Sequence, residues 1–260
     1  MSRDVIYSLG LLSWFIALAI AEAVIARKSA RVTIPNSDAR YVTNFGLTAF
    51  FLTVGSVLPF TDASAAASAE ILHIGLANLV PIPWLAILAI LLITQTLARY
   101  WAHRWLHRNS LLWRIHRVHH ADTAVDVSTS LRNHPLELIV TVPVSVCVIL
   151  AMGAPVSVVA AEQTILLAAT IWEHADISLP PRLDQALSAV IFTPRLHRFH
   201  HSPERAIHDS NFGTLFSFWD RLFGTLCVNE GRGAVGLGGQ VRRPDHFFDQ
   251  IWSPLQPAQG

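Results

Sequence analysis

The sequence predicts an all-α, multi-pass transmembrane helical protein of about five spans, with a cytoplasmic helical cap that carries clustered histidines. Three observations predict it. The 260 residues are 52% hydrophobic and only 14% charged, against roughly 25% charged in an ordinary soluble domain. Mean hydropathy is positive, at +0.41. Apolar runs long enough to cross a bilayer alternate with connections in which the arginines fall mostly on one side. A soluble fold of this length has too little interior to hide so much apolar surface.

The elements follow in order. A span needs about 20 mostly apolar residues, and Val5 to Ala26 meets this. Ala19-Ile20-Ala21 resembles a cleavage site, but the run is long and is followed by Arg27, Lys28 and Arg31, so an uncleaved anchor is expected. Val42 to Phe60 is the second span. The Ala/Ser-rich stretch from Thr61 to Ala77 is expected at the outer interface. Trp84 to Tyr100 is the third, on a helix that continues past the bilayer surface. Leu136 to Trp172 holds two more spans, broken at Gly153-Ala154-Pro155. One integral-membrane domain fills residues 1–260, its motif-bearing region runs from about 85 to 228, and the tail 231–260 reads as loosely structured.

Orientation follows from the basic residues. Arg27, Lys28, Arg31 and Arg40 share one side with Arg99, Arg104, Arg108, Arg114, Arg117 and Arg132, while Arg3 falls on the other. The N-terminus is expected outside and the C-terminus in the cytoplasm. Arginine almost wholly replaces lysine and alanine is abundant, which points to a GC-rich bacterial genome and hence an inner membrane. The net charge of +1 names no partner, and nothing calls for nucleic acid. Cys147 and Cys227 are too few for a disulfide framework.

Thirteen histidines are present, and eleven lie between His103 and His208. His103 and His107 form HxxxH. His116, His119 and His120 form HxxHH, and His197, His200 and His201 form a second HxxHH. On a helix, residues three and four apart share a face, so each group can aim its imidazoles at one point. The five-span order brings all three groups to one membrane surface. His134, before Pro135 at the start of span four, and His174, at the end of span five, join them there.

Such a concentration predicts metal binding, since imidazole suits Zn, Fe, Cu and Ni. A structural zinc site would hold four ligands, usually with cysteine. Eight to ten histidines are too many for one ion and suit two. Open positions beside a membrane fit an O₂-activating iron pair better than a hydrolytic zinc site. The alternative is a membrane metal-binding or metal-transport protein without redox catalysis. Transporters place their sites near the bilayer midplane, where this chain offers Glu22 and Glu162 and hardly any other ligand residue. Arg104, Arg108, Arg117, Arg198 and Arg205 make the cytoplasmic face basic, fit for a lipid head group or an acidic donor protein.

These motifs carry a family resemblance. HxxxH at His103, HxxHH at His116, Asn133-His134-Pro135, His174-Ala175-Asp176-Ile177-Ser178-Leu179-Pro180 and Thr193-Pro194-Arg195-Leu196-His197-Arg198-Phe199-His200-His201-Ser202 are joined by two further strings. These are Asp209-Ser210-Asn211-Phe212-Gly213 and Phe218-Trp219-Asp220-Arg221-Leu222-Phe223-Gly224-Thr225. Together they resemble the fatty acid hydroxylase/sterol desaturase superfamily of integral-membrane di-iron oxygenases, over about half the chain. The resemblance implies two iron ions, O₂ as co-substrate, a lipid substrate that is hydroxylated or desaturated, and electrons from NAD(P)H. Without a fused cytochrome domain, a separate ferredoxin or cytochrome b5-like carrier with its reductase would deliver them. The implied ligands are His103, His107, His116, His119, His120, His174, His197, His200 and His201, with His134 as a tenth. Asp209 and Asn211 are the expected catalytic-site residues, and Glu173, Asp176 and Asp220 are further candidates to orient the ligands. Phe212 stands where the family often has Tyr.

Overall fold

A computed structural model describes residues 3–28, 37–228 and 233–256; the basic residues Arg27 and Lys28 are described only as backbone, and Arg31 lies outside the described residues. The described chain is helical, with a single β-bridge between Ile191 and Phe216. The helices are α1 (Arg3–Lys28), α2 (Ser37–Ser56), α3 (Asp62–Leu72), α4 (Leu76–Leu79), α5 (Trp84–Arg108), α6 (Ser110–His120), α7 (Leu138–Met152), α8 (Val156–His174), α9 (Pro181–Leu187), α10 (Pro194–His200), α11 (Arg205–His208), α12 (Phe218–Leu222) and α13 (Phe247–Trp252).

Four helical segments among the described residues are long and apolar enough to cross a membrane: Val5–Ile25, Trp84–Arg108, Pro135–Met152 and Val156–His174. The expected second span is not among them. α2 begins with Asp38, Arg40 and Asn44, and these polar residues are there to make contacts in the cap. Arg40 reaches Asp122 at 3.0 Å, and Asn44 reaches Asp122 and Ser128 at 3.0 Å. The return to the far end is completed by the half-length α3. Its start lies beside the middle of α8, where Gln163 donates to Asp62 at 2.7 Å. Its end lies by the α7–α8 turn, where Glu70 accepts from the Val156 amide. The second crossing is thus two helices joined by a break, not one span. The segment read as an outer-interface stretch is part of the bundle's core, with Ala65, Ala66 and Ala69 buried.

The turn at Gly153 behaves as expected. Gly153 is left-handed (φ +66) and closes α7. A Cβ on it would meet the Ile74 carbonyl at 2.5 Å, because Gly75 and Gly153 bring their backbones into contact. Small residues therefore set how closely α3 and α7 approach. Around them Ile87, Leu91, Ile149, Met152, Val158 and Val159 form the main apolar core.

At the other end the sequence switches to capping chemistry. Asn109 both ends α5 and starts α6: its side chain accepts from the Leu111 and Leu112 amides, a cap that contributes about 1 kcal/mol. The chain therefore turns sharply between HxxxH and the first HxxHH and folds α6 back over α5. The described part of the tail, 233–256, is packed rather than loose. Leu237 and Val241 are buried with Ala121, and the carbonyls of Ser253 and Gln256 accept from the Arg117 guanidinium.

Candidate metal centre

The histidines gather at one end of the bundle. α5 supplies His103 and His107, α6 supplies His116, His119 and His120, the last turn of α8 supplies His174, and α10 with its cap supplies His197, His200 and His201. They sort into two groups. His103, His107, His116, His120 and His200 form one, and His119, His174, His197 and His201 the other; within each, one ring nitrogen per residue lies within 4.8 Å of all the others. An HxxHH motif thus aims at two points, not one. His116 and His120, four residues apart, face the first group while His119 faces the second. On α10 the i,i+4 pair His197 and His201 faces the second, and His200 the first. The two groups are neighbours, with the rings of His120 and His201 stacked at 4.6 Å.

Hydrogen bonds to carbonyls fix the tautomers. His103 Nδ1 lies 2.9 Å from the Phe212 oxygen, and His200 Nδ1 2.8 Å from that of Ser210. His119 Nδ1 lies 3.1 Å from the Arg132 oxygen, and His174 Nδ1 2.7 Å from that of Thr170. A carbonyl only accepts, so each Nδ1 carries the hydrogen and each Nε2 of a neutral ring is a bare lone pair. Yet His103 Nε2 and His200 Nε2 face each other at 3.0 Å, and so do His119 Nε2 and His174 Nε2 at 3.1 Å. Two lone pairs at that distance repel unless a cation lies between them. Protonation is opposed, because burial lowers the pKa of His119 and His200 well below the usual histidine value. A metal ion in each group would resolve both contacts, because each lone pair would then point at the ion and not at its neighbour. The Nε2 atoms of His107 and His120, buried and without a hydrogen-bond partner, complete the first donor set. The donor set is all imidazole; Cys147 and Cys227 belong to neither group.

The surrounding residues divide into those that orient ligands and those that hold loops. Asp209 Oδ1 lies 3.4 Å from His107 Nδ1, and its other oxygen lies 3.4 Å from Arg205. Asn211 does not reach a histidine. Its side-chain amide donates to the Leu196 and Cys227 carbonyls and its oxygen accepts from the Cys227 amide, so it ties the 225–228 stretch to α10. A left-handed φ of +56 suits asparagine to that post. Asp220 accepts from the Phe212 and Gly213 amides and from Thr225. It thereby fixes the loop whose Phe212 carbonyl holds His103. Asp176 pairs with Arg198 at 3.4 Å, and Glu173 is buried at the end of α8.

His134 is not a ligand in this arrangement. Its Nδ1 accepts from the Leu136 amide at 3.2 Å and its Nε2 lies 3.2 Å from the Ile251 oxygen, so both nitrogens are committed to backbone and the ring caps the turn into α7. His208 lies in a third set with His107 and Asp209; its Nδ1 bonds the Ser202 carbonyl and its ring stacks on Trp113. Three contributors escaped the sequence reading. Glu137 Oε2 lies 3.4 Å from His116 Nδ1. Arg132, fully buried, offers the carbonyl that holds His119 and binds the Val118 carbonyl and Asn44. Asp122, paired with Arg40, closes the network behind it. Glu137 follows Asn133-His134-Pro135 directly, which was the available signal; Arg132 and Asp122 gave none.

The comparisons agree with this geometry. The family model described as fatty acid hydroxylase matches residues 88–225, more than half of the chain. Alkylglycerol monooxygenase from Homo sapiens is 30% identical over 173 residues, covering 62% of this chain and 36% of that protein. Its counterpart from Danio rerio is 31% identical over 175 residues, 65% and 35%. Ornithine lipid hydroxylase OlsE from Rhizobium tropici is 28% identical over 207 residues, 78% and 60%. The chain therefore spans between about a third and three fifths of the length of these relatives. No solved structure matches it. The matched stretch contains all nine histidines of the two groups and the carbonyls that fix their tautomers, and on that footing the chain belongs to the fatty acid hydroxylase family.

Proposed function

We propose that this chain is a membrane-bound di-iron oxygenase that hydroxylates a C–H bond of a lipid. The observation that carries the reading is the set of facing Nε2 contacts, two in the first histidine group and three in the second, of which His103–His200 and His119–His174 join rings whose tautomers are both fixed by carbonyls. His103, His107, His116, His120 and His200 would hold one iron, and His119, His174, His197 and His201 the other. When bound, the iron pair supplies the activation of O₂ that an unactivated C–H bond requires.

The chain's own residues do the rest. Burial keeps the imidazoles neutral, the form that binds metal. The carbonyls of Phe212, Ser210, Arg132 and Thr170 hold four rings in the tautomer that presents Nε2. Asp209 turns His107, and Glu137 faces His116. The buried packing of Phe212 against His103, His107 and His200 keeps water from the first group. The balance is R–H + O₂ + 2 electrons + 2 protons giving R–OH + H₂O. The electrons come from NAD(P)H through a separate ferredoxin or cytochrome b5-like carrier with its reductase. The relatives' names specify an alkylglycerol and an ornithine lipid, and we take the substrate to be a lipid with a polar head whose chain enters from the bilayer. The helices emerge with their histidine end in the cytoplasm and the N-terminus outside, in a bacterial inner membrane.

Iron-loaded enzyme incubated with a lipid extract and a reductase system under ¹⁸O₂ tests this. Label in a lipid hydroxyl is the expected result. Loss of two hydrogens without label would mean desaturation, and the same products under strict anaerobiosis would sink both readings.

A further inference from the structure

The helix that presents His103 and His107 has a second occupied-looking face. At 100° per residue, Ala98, Trp101, Trp105 and Arg108 lie on the side of α5 away from those two histidines. There α5 and α7 enclose a groove of about 670 Å³. Ala98, Ala102 and Val144 leave a shallow apolar trough, Trp101 and Trp105 flank it with exposed rings, and Arg104 and Arg108 stand at its end. From Ala98 to Arg108 the helix rises about 15 Å. The groove starts at the end of the third span expected from the sequence and carries its tryptophans and arginines on the continuation of α5 beyond Tyr100, at the level where both residue types favour the head-group layer.

The arginines decide what fits. Arg117 is spent on the tail carbonyls, Arg198 on Asp176 and Arg205 on Asp209. Arg104 and Arg108 differ. Among the described residues neither has a carboxylate within 4.0 Å. Arg104 rests over the Trp101 ring at 5.2 Å and bonds the Tyr100 hydroxyl at 3.5 Å, with Asp220 an electrostatic neighbour beyond direct pairing distance. No acidic residue lines the groove, so an ammonium head group finds no partner there, whereas a phosphate finds two guanidiniums.

We propose that this groove holds an anionic phospholipid of the bilayer that is not the substrate, one acyl chain along Ala98, Ala102 and Val144 and its phosphate between Arg104 and Arg108. The site faces away from the histidine groups, and the inference does not depend on the chain's oxidising lipids.

Native mass spectrometry of the full-length, metal-loaded protein tests it, titrating palmitoyl-oleoyl phosphatidylglycerol against the matching phosphatidylcholine. The wild type should retain one phosphatidylglycerol per chain at roughly tenfold lower concentration or better, given about 1 kcal/mol per arginine. Arg104→Gln with Arg108→Gln should erase the preference, and Ala98→Trp, at a half-buried position of the trough, should remove the bound lipid of either kind, with metal content unchanged in both. Should the double variant fail to fold, Arg108→Gln alone, at the exposed last residue of α5, reads the same comparison as a partial loss. Equal affinity of the wild type for the two lipids would overturn the proposal, as would a preference that survives the substitutions. Recovery of the retained phosphatidylglycerol in oxygenated form after turnover would overturn the non-substrate assignment, whatever the outcome for the oxygenase reading.

Discussion

The two ends of this bundle are built from opposite materials. At the α3–α7–α8 end, alanines and branched aliphatics pack around a glycine–glycine contact, and few polar side chains intrude. At the other end nine histidines, Arg40, Asp122, Arg132 and Glu137 are all at least largely buried, and many of their polar atoms are assigned to a named partner. Apolar packing is non-directional, so the far end tolerates exchange of similar volumes. Buried polar contacts are directional and costly to leave unmade, so the histidine end should fail at single atoms. The α5 and α8 helices run through both regimes and join them.

The largest effect expected on this contrast comes from the ligands. His107→Ala or His200→Ala should abolish activity and remove metal from the first group, whereas His73→Ala and His246→Ala should leave both unchanged, by elemental analysis and product assay. Retention of two ions by His200→Ala would break the division into five and four.

Acid should separate the ends next. Burial holds the pKa values of His119, His120, His197, His200 and His201 well below the ordinary value. Below about pH 6.5 the unfolded chain takes up protons that the folded, metal-free chain refuses. Folding stability is therefore complete above that pH and declines as pH falls through it, by up to about 1.4 kcal/mol per histidine for each unit. Thermal melts of metal-free protein from about pH 7.5 to about 5.5 should show the drop, and metal-loaded protein should resist it until protons displace the ions. A flat profile for the metal-free chain would contradict the buried neutral rings.

Smaller effects distinguish orientation from ligation. Asp209→Asn or Glu137→Gln should lower metal affinity or activity by roughly 10–100-fold, while Asn211→Ala should act through stability instead, since its amide is spent on α10 and Cys227. Equilibrium dialysis against a chelator reads the first and a melt reads the second. At the far end, Gly153→Ala should cost about 1–3 kcal/mol, from its left-handed backbone and the Ile74 carbonyl. It should leave metal stoichiometry intact; loss of metal there would show that the ends are not independent.

What could be read in advance follows the same division. Eight of the nine clustered histidines were legible because i, i+3, i+4 spacing is local, and His174 was placed with them by its position at the end of the fifth expected span. The sharing of each HxxHH between two groups was not legible, because it depends on how α6 and α10 face each other. His134 shows the other side: a motif gives a residue but not that its ring nitrogens meet the Leu136 amide and the Ile251 carbonyl, outside both groups. α2 was read as a span from its apolar second half. Its role is in Arg40 and Asn44, whose partners lie some eighty residues on and leave no periodic trace.

The division of each HxxHH between both groups has a consequence for assembly. α6 and α10 each carry donors to both centres on little more than a single turn, so the spacing of the centres is gauged by a helical rise of about 1.5 Å per residue rather than by any loop. On the proposed reading, an ion captured at the first centre would clamp α6 to α10 through His116, His120 and His200, and would also seat His119, His197 and His201, three of the four residues of the second group. Uptake of the first should thus prepare uptake of the second, and chains filled at one centre alone should be scarce.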